Sequence, residues 1–354
     1  MLSNFIFVFS LAFIFKFAYG SYLNFIEIKN LKTEFELEKN IKSNKQININ
    51  NKKNVYFVIS DAVVDFDLFE RKYAKFYKDE NIINNYRKSF LNEGLKIIDN
   101  SKNNTSEKST KQALGAVINL DDNVPIDGSK YKYQYPVAMK FFSYTNLYKK
   151  LNENDYNFFW IGNIWNNCHL YNSNLCMYEE NNYNKNFYSL RNLEYYLESS
   201  LLGNLIFKKF NEKFHYKKIN KKNSTLFDFI NFNYYKNKET IKNENNFLFF
   251  HDYGAHPPFV YDQNCNYISY PYNSKKGYAE SYVCNLKELL SFVKFINEND
   301  PESIIVITGD HGYFEDRSNI LRMIKIQNCE YNQNKISQSF SYLVNTAISC
   351  ENYQ

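Results

Sequence analysis

The chain has 354 residues and a formal net charge of +5, with 44% hydrophobic and 23% charged residues, the proportions of an ordinary globular protein. Tyr and Phe number 32 each, a density of aromatic residues that excludes wholesale disorder, and a mean hydropathy of −0.56 excludes a polytopic membrane protein. Lys and Glu are interspersed, and neither an aromatic-basic RNA-binding module nor zinc-finger spacing occurs, so no nucleic-acid partner is expected.

In chain order, residues 5–15 form an almost unbroken apolar run. It is short for a bilayer span of about 20 residues but suits the core of a signal peptide, with the small residues Ala18 and Gly20 where cleavage needs them. A snorkelling Lys16 would instead keep residues 1–20 as a membrane anchor. Either way the remainder is expected outside the cytoplasm. Residues 21–53 read as a polar lead-in.

Residues 55–59 (VYFVI) are a continuous apolar run, the pattern of a central parallel strand, which ends at Ser60-Asp61. A helix is predicted over 86–93 with Gly94 at its C-cap, then a strand over 95–98. After the polar stretch 101–111, residues 113–120 resume a helical pattern, and 158–161 read as another strand. Residues 181–246 are Asn/Lys/Tyr-rich and read as a peripheral insertion. Residues 247–250 form a buried strand ending at His251-Asp252. Val283, Leu286, Leu290, Val293 and Ile296 recur at helical spacing, and residues 304–307 form a last strand ending at Gly309-Asp310-His311-Gly312. Strands alternating with helices predict an α/β fold with a mostly parallel sheet, spanning residues 54–354.

Six cysteines fall as three neighbouring pairs, and none forms CxxC. In an oxidising compartment the expected bridges are Cys168–Cys176, Cys265–Cys284 and Cys329–Cys350; unrelated buried thiols are the alternative.

Three predicted strands thus end in ligand-type residues: Asp61, the pair His251-Asp252, and Asp310-His311. Open parallel sheets bind ligands at the carboxyl ends of their strands, and carboxylates with a neutral imidazole suit Zn²⁺ or Mn²⁺. Capping of a following helix is the competing reading of Asp61.

Residues 55–61, the segment 251–259 (HDYGAHPPF) and residues 304–312 together resemble the alkaline phosphatase/sulfatase superfamily. The likeness is to its membrane-linked sulfatase-like branch, with lipoteichoic acid synthases and phosphoethanolamine transferases. The resemblance implies an alkaline-phosphatase-like sheet with helices on both faces. It makes Asp61, Asp310 and His311 ligands of one divalent metal, and Thr110 the metal-activated nucleophile; Thr105 is the rival. His256 would contact the transferred group, and Asp252 and His251 are weaker metal candidates. No histidine follows His311, so a second metal site lacks a ligand. The Cys/Ser-x-Pro-x-Arg motif of formylglycine sulfatases is absent. The implied activity is a metal-dependent hydrolase or transferase acting on phosphate or sulfate esters of envelope lipids or glycans, a substrate class compatible with membrane association. The alternative is a catalytically degenerate, glycan-binding surface protein of the same fold.

Overall fold

The computed structural model describes residues 19, 53–76, 81–98, 110–122, 146–162, 175–177, 225–243, 245–257, 259, 261–268, 274–313, 316–317 and 319–349. The apolar runs that read as strands lie side by side in a seven-stranded sheet of order β2-β7-β6-β1-β5-β3-β4. These strands are β1 (Val55–Ser60), β2 (Lys96–Ile97), β3 (Asn157–Gly162), β4 (Leu175–Met177), β5 (Asn246–Asp252), β6 (Ile304–Gly309) and β7 (Arg322–Lys325). The five strands from β6 to β4 pair in parallel, whereas β7 and β2 close one edge antiparallel. β1 lies between β5 and β6, in a register that sets Ser60 opposite Asp252 on one side and Gly309 on the other.

Every residue of β1, β5 and β6 is buried, which explains why these strands are apolar throughout rather than alternating. Each large apolar side chain so buried contributes about 1.5–3 kcal/mol. Alternate residues serve two cores. Tyr56, Val58, Leu248, Phe250, Ile305 and Ile307 face one, and Val55, Phe57, Ile59, Phe247, Phe249 and Val306 face the other. The first core is covered by α1 (Phe66–Tyr73), α2 (Ile82–Asn92) and the long helix α8 (Lys275–Asn299), with the shorter segments α5 (Thr225–Asp228), α6 (Tyr234–Lys236) and α7 (Lys238–Asn243) beside it. The second is covered by α3 (Thr110–Asn119), α4 (Asn146–Asn152) and α10 (Phe340–Ser349), with α9 (Gln333–Gln338) at its edge. The fold is therefore mixed α/β with a mostly parallel sheet and helices on both faces.

The α2 helix starts at Ile82, four residues before its predicted start, and ends as expected. Gly94, at φ +84°, donates its N–H to Leu91 O while Leu95 N donates to Phe90 O, a Schellman closure that requires the left-handed residue. The α8 helix begins at Lys275, capped by Ser274, eight residues before the first apolar residue of the periodic stripe. Strands β4 and β7 were not expected. β4 is only three residues long, and β7 (RMIK) carries a charge at each end, so neither presents an apolar run long enough to mark a strand.

A disulfide joins Cys265 to Cys284 across 19 residues. Cys329 is also disulfide-bonded; its expected partner Cys350 lies outside the described residues, as do Cys168, Thr105, the apolar run 5–15 and most of the insertion over 181–246. No helix among the described residues is long and apolar enough to cross a membrane.

Candidate active site

The alternation along the sheet decides which groups meet at its carboxyl edge. Ser60 continues the face that packs on α8, and its Oγ donates to Asn285 Oδ1 at 3.0 Å. Asp61 follows it on the opposite face, as do His251 after Phe249 and Asp310 after Val306 and Thr308. That face carries α3, whose first residue is Thr110.

Capping does not account for Asp61. The cap of α1 is Asp65, whose Oδ1 accepts from Leu68 N at 2.6 Å. Asp61 instead sits at the close of β1, its N–H donating to Asp252 O at 2.9 Å and its carbonyl accepting from Ala255 N at 3.0 Å. The turn over Gly254 fits this contact only without a side chain. Gly254 has φ +50°, and a Cβ there would stand 2.5 Å from both Asp61 O and Ser60 Oγ.

Asp310 is 1% exposed. Its Oδ1 accepts from Ala62 N at 2.9 Å and from His311 N at 2.7 Å. Burial pushes its carboxyl pKa up. The pull of His311 and His251, the Ala62 N–H and the Thr110 hydroxyl together outweigh burial and hold it below the ordinary carboxylate range.

His311 Nδ1 lies 2.8 Å from Gly312 O, which puts a proton on Nδ1 and turns Nε2 inward. There Nε2 stands 3.4 Å from Asp61 Oδ1, 3.5 Å from Asp310 Oδ2 and 3.2 Å from Thr110 Oγ1. The ligand atoms of Asp61, Asp310 and His311 all lie within 4.8 Å of one another. Two buried carboxylates converging on one imidazole nitrogen require positive charge among them, either an imidazolium proton or a divalent cation. The oxygen and nitrogen donor set, bearing two negative charges, fits Zn²⁺ or Mn²⁺.

The structure therefore brings Asp61, Thr110, Asp310 and His311 together from three parts of the chain. The other expected residues are placed differently. His251 is fully buried beside Asp310 and acts on it electrostatically. Asp252 Oδ2 accepts from Gly254 N at 3.1 Å and from Asn285 Nδ2 at 3.2 Å. His256 lies at the end of the Gly254 turn, with its N–H on Tyr253 O at 2.9 Å and Nδ1 2.5 Å from Pro257 O. None of these three joins the converging triad. A second grouping, Cys265, Cys284 and Glu288, is accounted for by the disulfide. Ala62, whose N–H bonds Asp310, Tyr278, which holds the Ala62 carbonyl, and Asn285, which bridges Ser60 and Asp252, were not expected from the sequence. Their signal is a stripe of hydrogen-bonding side chains, Tyr278, Tyr282 and Asn285, at helical spacing on the buried side of α8.

No known protein family matches the sequence, and no curated protein does. Among solved structures, the C-terminal periplasmic domain of EcEptC from Escherichia coli in complex with Zn is similar. Its TM-score is 0.45 at 12% sequence identity, over 86% of this chain and 84% of that one. A second structure of that domain gives a TM-score of 0.43 at 13% identity, with the same coverage of both chains.

Proposed function

We propose that this protein is a metal-dependent hydrolase or transferase acting on phosphate or sulfate esters of envelope lipids or glycans, with the alkaline-phosphatase-like resemblance of its strand-end motifs extending to its chemistry. The observation that carries the proposal is the Thr110 hydroxyl, 3.2 Å from His311 Nε2, at the edge of the Asp61–Asp310–His311 triad. The disulfide Cys265–Cys284 supports an oxidising compartment outside the cytoplasm.

Asp61, Asp310 and His311 would hold one divalent ion, whose chemistry is to act as a Lewis acid that lowers the hydroxyl pKa and offsets developing negative charge. Thr110 Oγ1 attacks the phosphorus or sulfur atom. The bond from Oγ1 to that atom forms as the bond to the leaving oxygen breaks, and the proton that Oγ1 gives up passes through solvent to the departing oxygen. The first N–H groups of α3, a helix that begins at Thr110, would bind anionic ester oxygens. His256 contacts the transferred group from the turn packed on Asp61. Water or a glycan hydroxyl then takes that group from Thr110, returning a proton to Oγ1.

A second reading follows from the same triad. An imidazolium at His311 satisfies both carboxylates with no metal, which suits a glycan-binding surface protein that has lost catalysis. Metal content of the purified full chain, with hydrolysis of chromogenic phosphomonoester, phosphodiester and sulfate ester substrates, separates the two. Bound Zn or Mn and turnover in the wild type, with both lost in Asp310→Asn and turnover alone lost in Thr110→Ala, is the expected result. A folded wild type that takes up no metal after reconstitution overturns the enzyme reading and favours the binding protein.

A further inference from the structure

The residue between the two carboxylates of the triad is Ala62, and its backbone is held from both sides. Its N–H donates to Asp310 Oδ1 at 2.9 Å, and its carbonyl accepts from the Tyr278 hydroxyl at 3.0 Å. Ala62 also has φ +60°, a conformation that L-residues other than Asn and Asp seldom adopt and that the surroundings must impose. Tyr278 is fully buried on α8. Its ring stacks on Tyr313 at 4.4 Å between centroids with 10° between planes, and meets Tyr73 edge-on at 4.8 Å. The hydroxyl therefore has little freedom to leave Ala62.

One turn further along α8, Tyr282 OH donates to Val64 O at 2.9 Å. At the next turn Asn285 bridges Ser60 Oγ, at 3.0 Å, and Asp252 Oδ2, at 3.2 Å. One helix thus grips the chain just before Asp61, just after it, and two residues beyond that.

We propose that Tyr278 is a positioning residue for the metal site. By fixing the carbonyl of a left-handed Ala62 it sets the Ala62 N–H against Asp310 and the Asp61 carboxylate against His311. The inference rests on the metal reading of the triad. Groups that orient metal ligands without touching the ion typically change metal affinity by about 10–100-fold when removed.

Tyr282 supplies the control. Tyr278→Phe and Tyr282→Phe each delete one buried hydroxyl bonded to one backbone carbonyl, so a purely structural role predicts similar losses of Tm and similar Zn²⁺ affinity. Positioning predicts similar losses of Tm but unequal affinities. In competition between the purified full chain and a chromogenic chelator for Zn²⁺, the dissociation constant should rise about tenfold in Tyr278→Phe and by less than about twofold in Tyr282→Phe, whose carbonyl lies three residues from Asp61. Equal constants in Tyr278→Phe and wild type, alongside weaker binding in Asp310→Asn, overturn the positioning role and leave the metal site standing. No Zn²⁺ binding by the folded wild type overturns the metal reading, and this inference with it. Should Tyr278→Phe not fold, amide exchange of the wild type decides. A slowly exchanging Ala62 amide supports the clamp, and a freely exchanging one overturns it.

Discussion

The two ends of the central sheet treat their polar groups in opposite ways. At the amino end, donors meet acceptors. Asn54 Nδ2 donates to Asp300 Oδ2 at 2.7 Å and to Ile241 O at 2.8 Å, while Asn54 Oδ1 accepts from Asn246 N and Nδ2 at 3.0 and 2.9 Å. Tyr56 OH completes the set with a 3.0 Å bond to the same Asp300 oxygen. At the carboxyl end, acceptors meet acceptors: Asp61 Oδ1, Asp310 Oδ2 and His311 Nε2 share one small space. A network serving stability alone resembles the first arrangement. The second stores repulsion that an added cation or proton relieves, the usual mark of a site shaped for something other than folding.

Substitutions should divide along the same line. The largest effect is expected for Asp310→Asn, which keeps an oxygen for the Ala62 and His311 N–H groups and replaces Oδ2 with a donor. Metal affinity and turnover should fall by about a hundredfold or more, while the Tm of the metal-free protein stays level or rises. A lower Tm of the metal-free variant would show that the triad supports the fold and would break the contrast.

Cys265→Ser/Cys284→Ser opens a loop that leads away from the carboxyl edge, at an expected cost of about 3 kcal/mol, measured by denaturant unfolding. Amide exchange should quicken around residues 253–268 and leave the strand starts unchanged.

Asp300→Ala, at the amino end, leaves Asn54 and Tyr56 without their shared acceptor and should cost about 2 kcal/mol with Zn²⁺ affinity unchanged. A change in affinity would mean that the two ends communicate through the sheet.

The smallest effect concerns Tyr56. Burial, and then Asp300, raise its pKa well above 10.0. The folded state therefore favours the neutral phenol, and this contribution is intact below the unfolded value and lost as pH climbs past about 10. Tyr56→Phe should cost about 1 kcal/mol at neutral pH and make stability fall less steeply between about pH 9.5 and 11.5, as read from urea midpoints.

The sheet's middle was legible because β1, β5 and β6 are buried on both faces, and such strands must be apolar at every position. The same property marked Asp61 and Asp310-His311, which break an apolar run at its carboxyl end. Thr110 had no comparable signal; composition and spacing place it only at the start of a helix, and the family resemblance alone singled it out. Tyr278 was hidden because a tyrosine on a helix's buried stripe reads as core, and nothing local shows which carbonyl its hydroxyl will find 216 residues away. The Asx cap fell to Asp65 rather than Asp61 because the chain turns through a left-handed Ala62 before α1 can begin.

The position of β1 also governs how the chain can acquire this structure. Its two neighbours, β5 and β6, begin at Asn246 and Ile304. The central strand is therefore made early, and both of its hydrogen-bonding edges stay open until most of the chain has followed. Loop closure over such separations is slow compared with local helix formation. An apolar strand with two unpaired edges is also a template for wrong partners. A chain that emerges amino-end first must keep β1 shielded during that interval. A fragment ending before Ile304 would lack one edge of the central strand as well as Asp310 and His311, so the core and the site are completed by the same late segment.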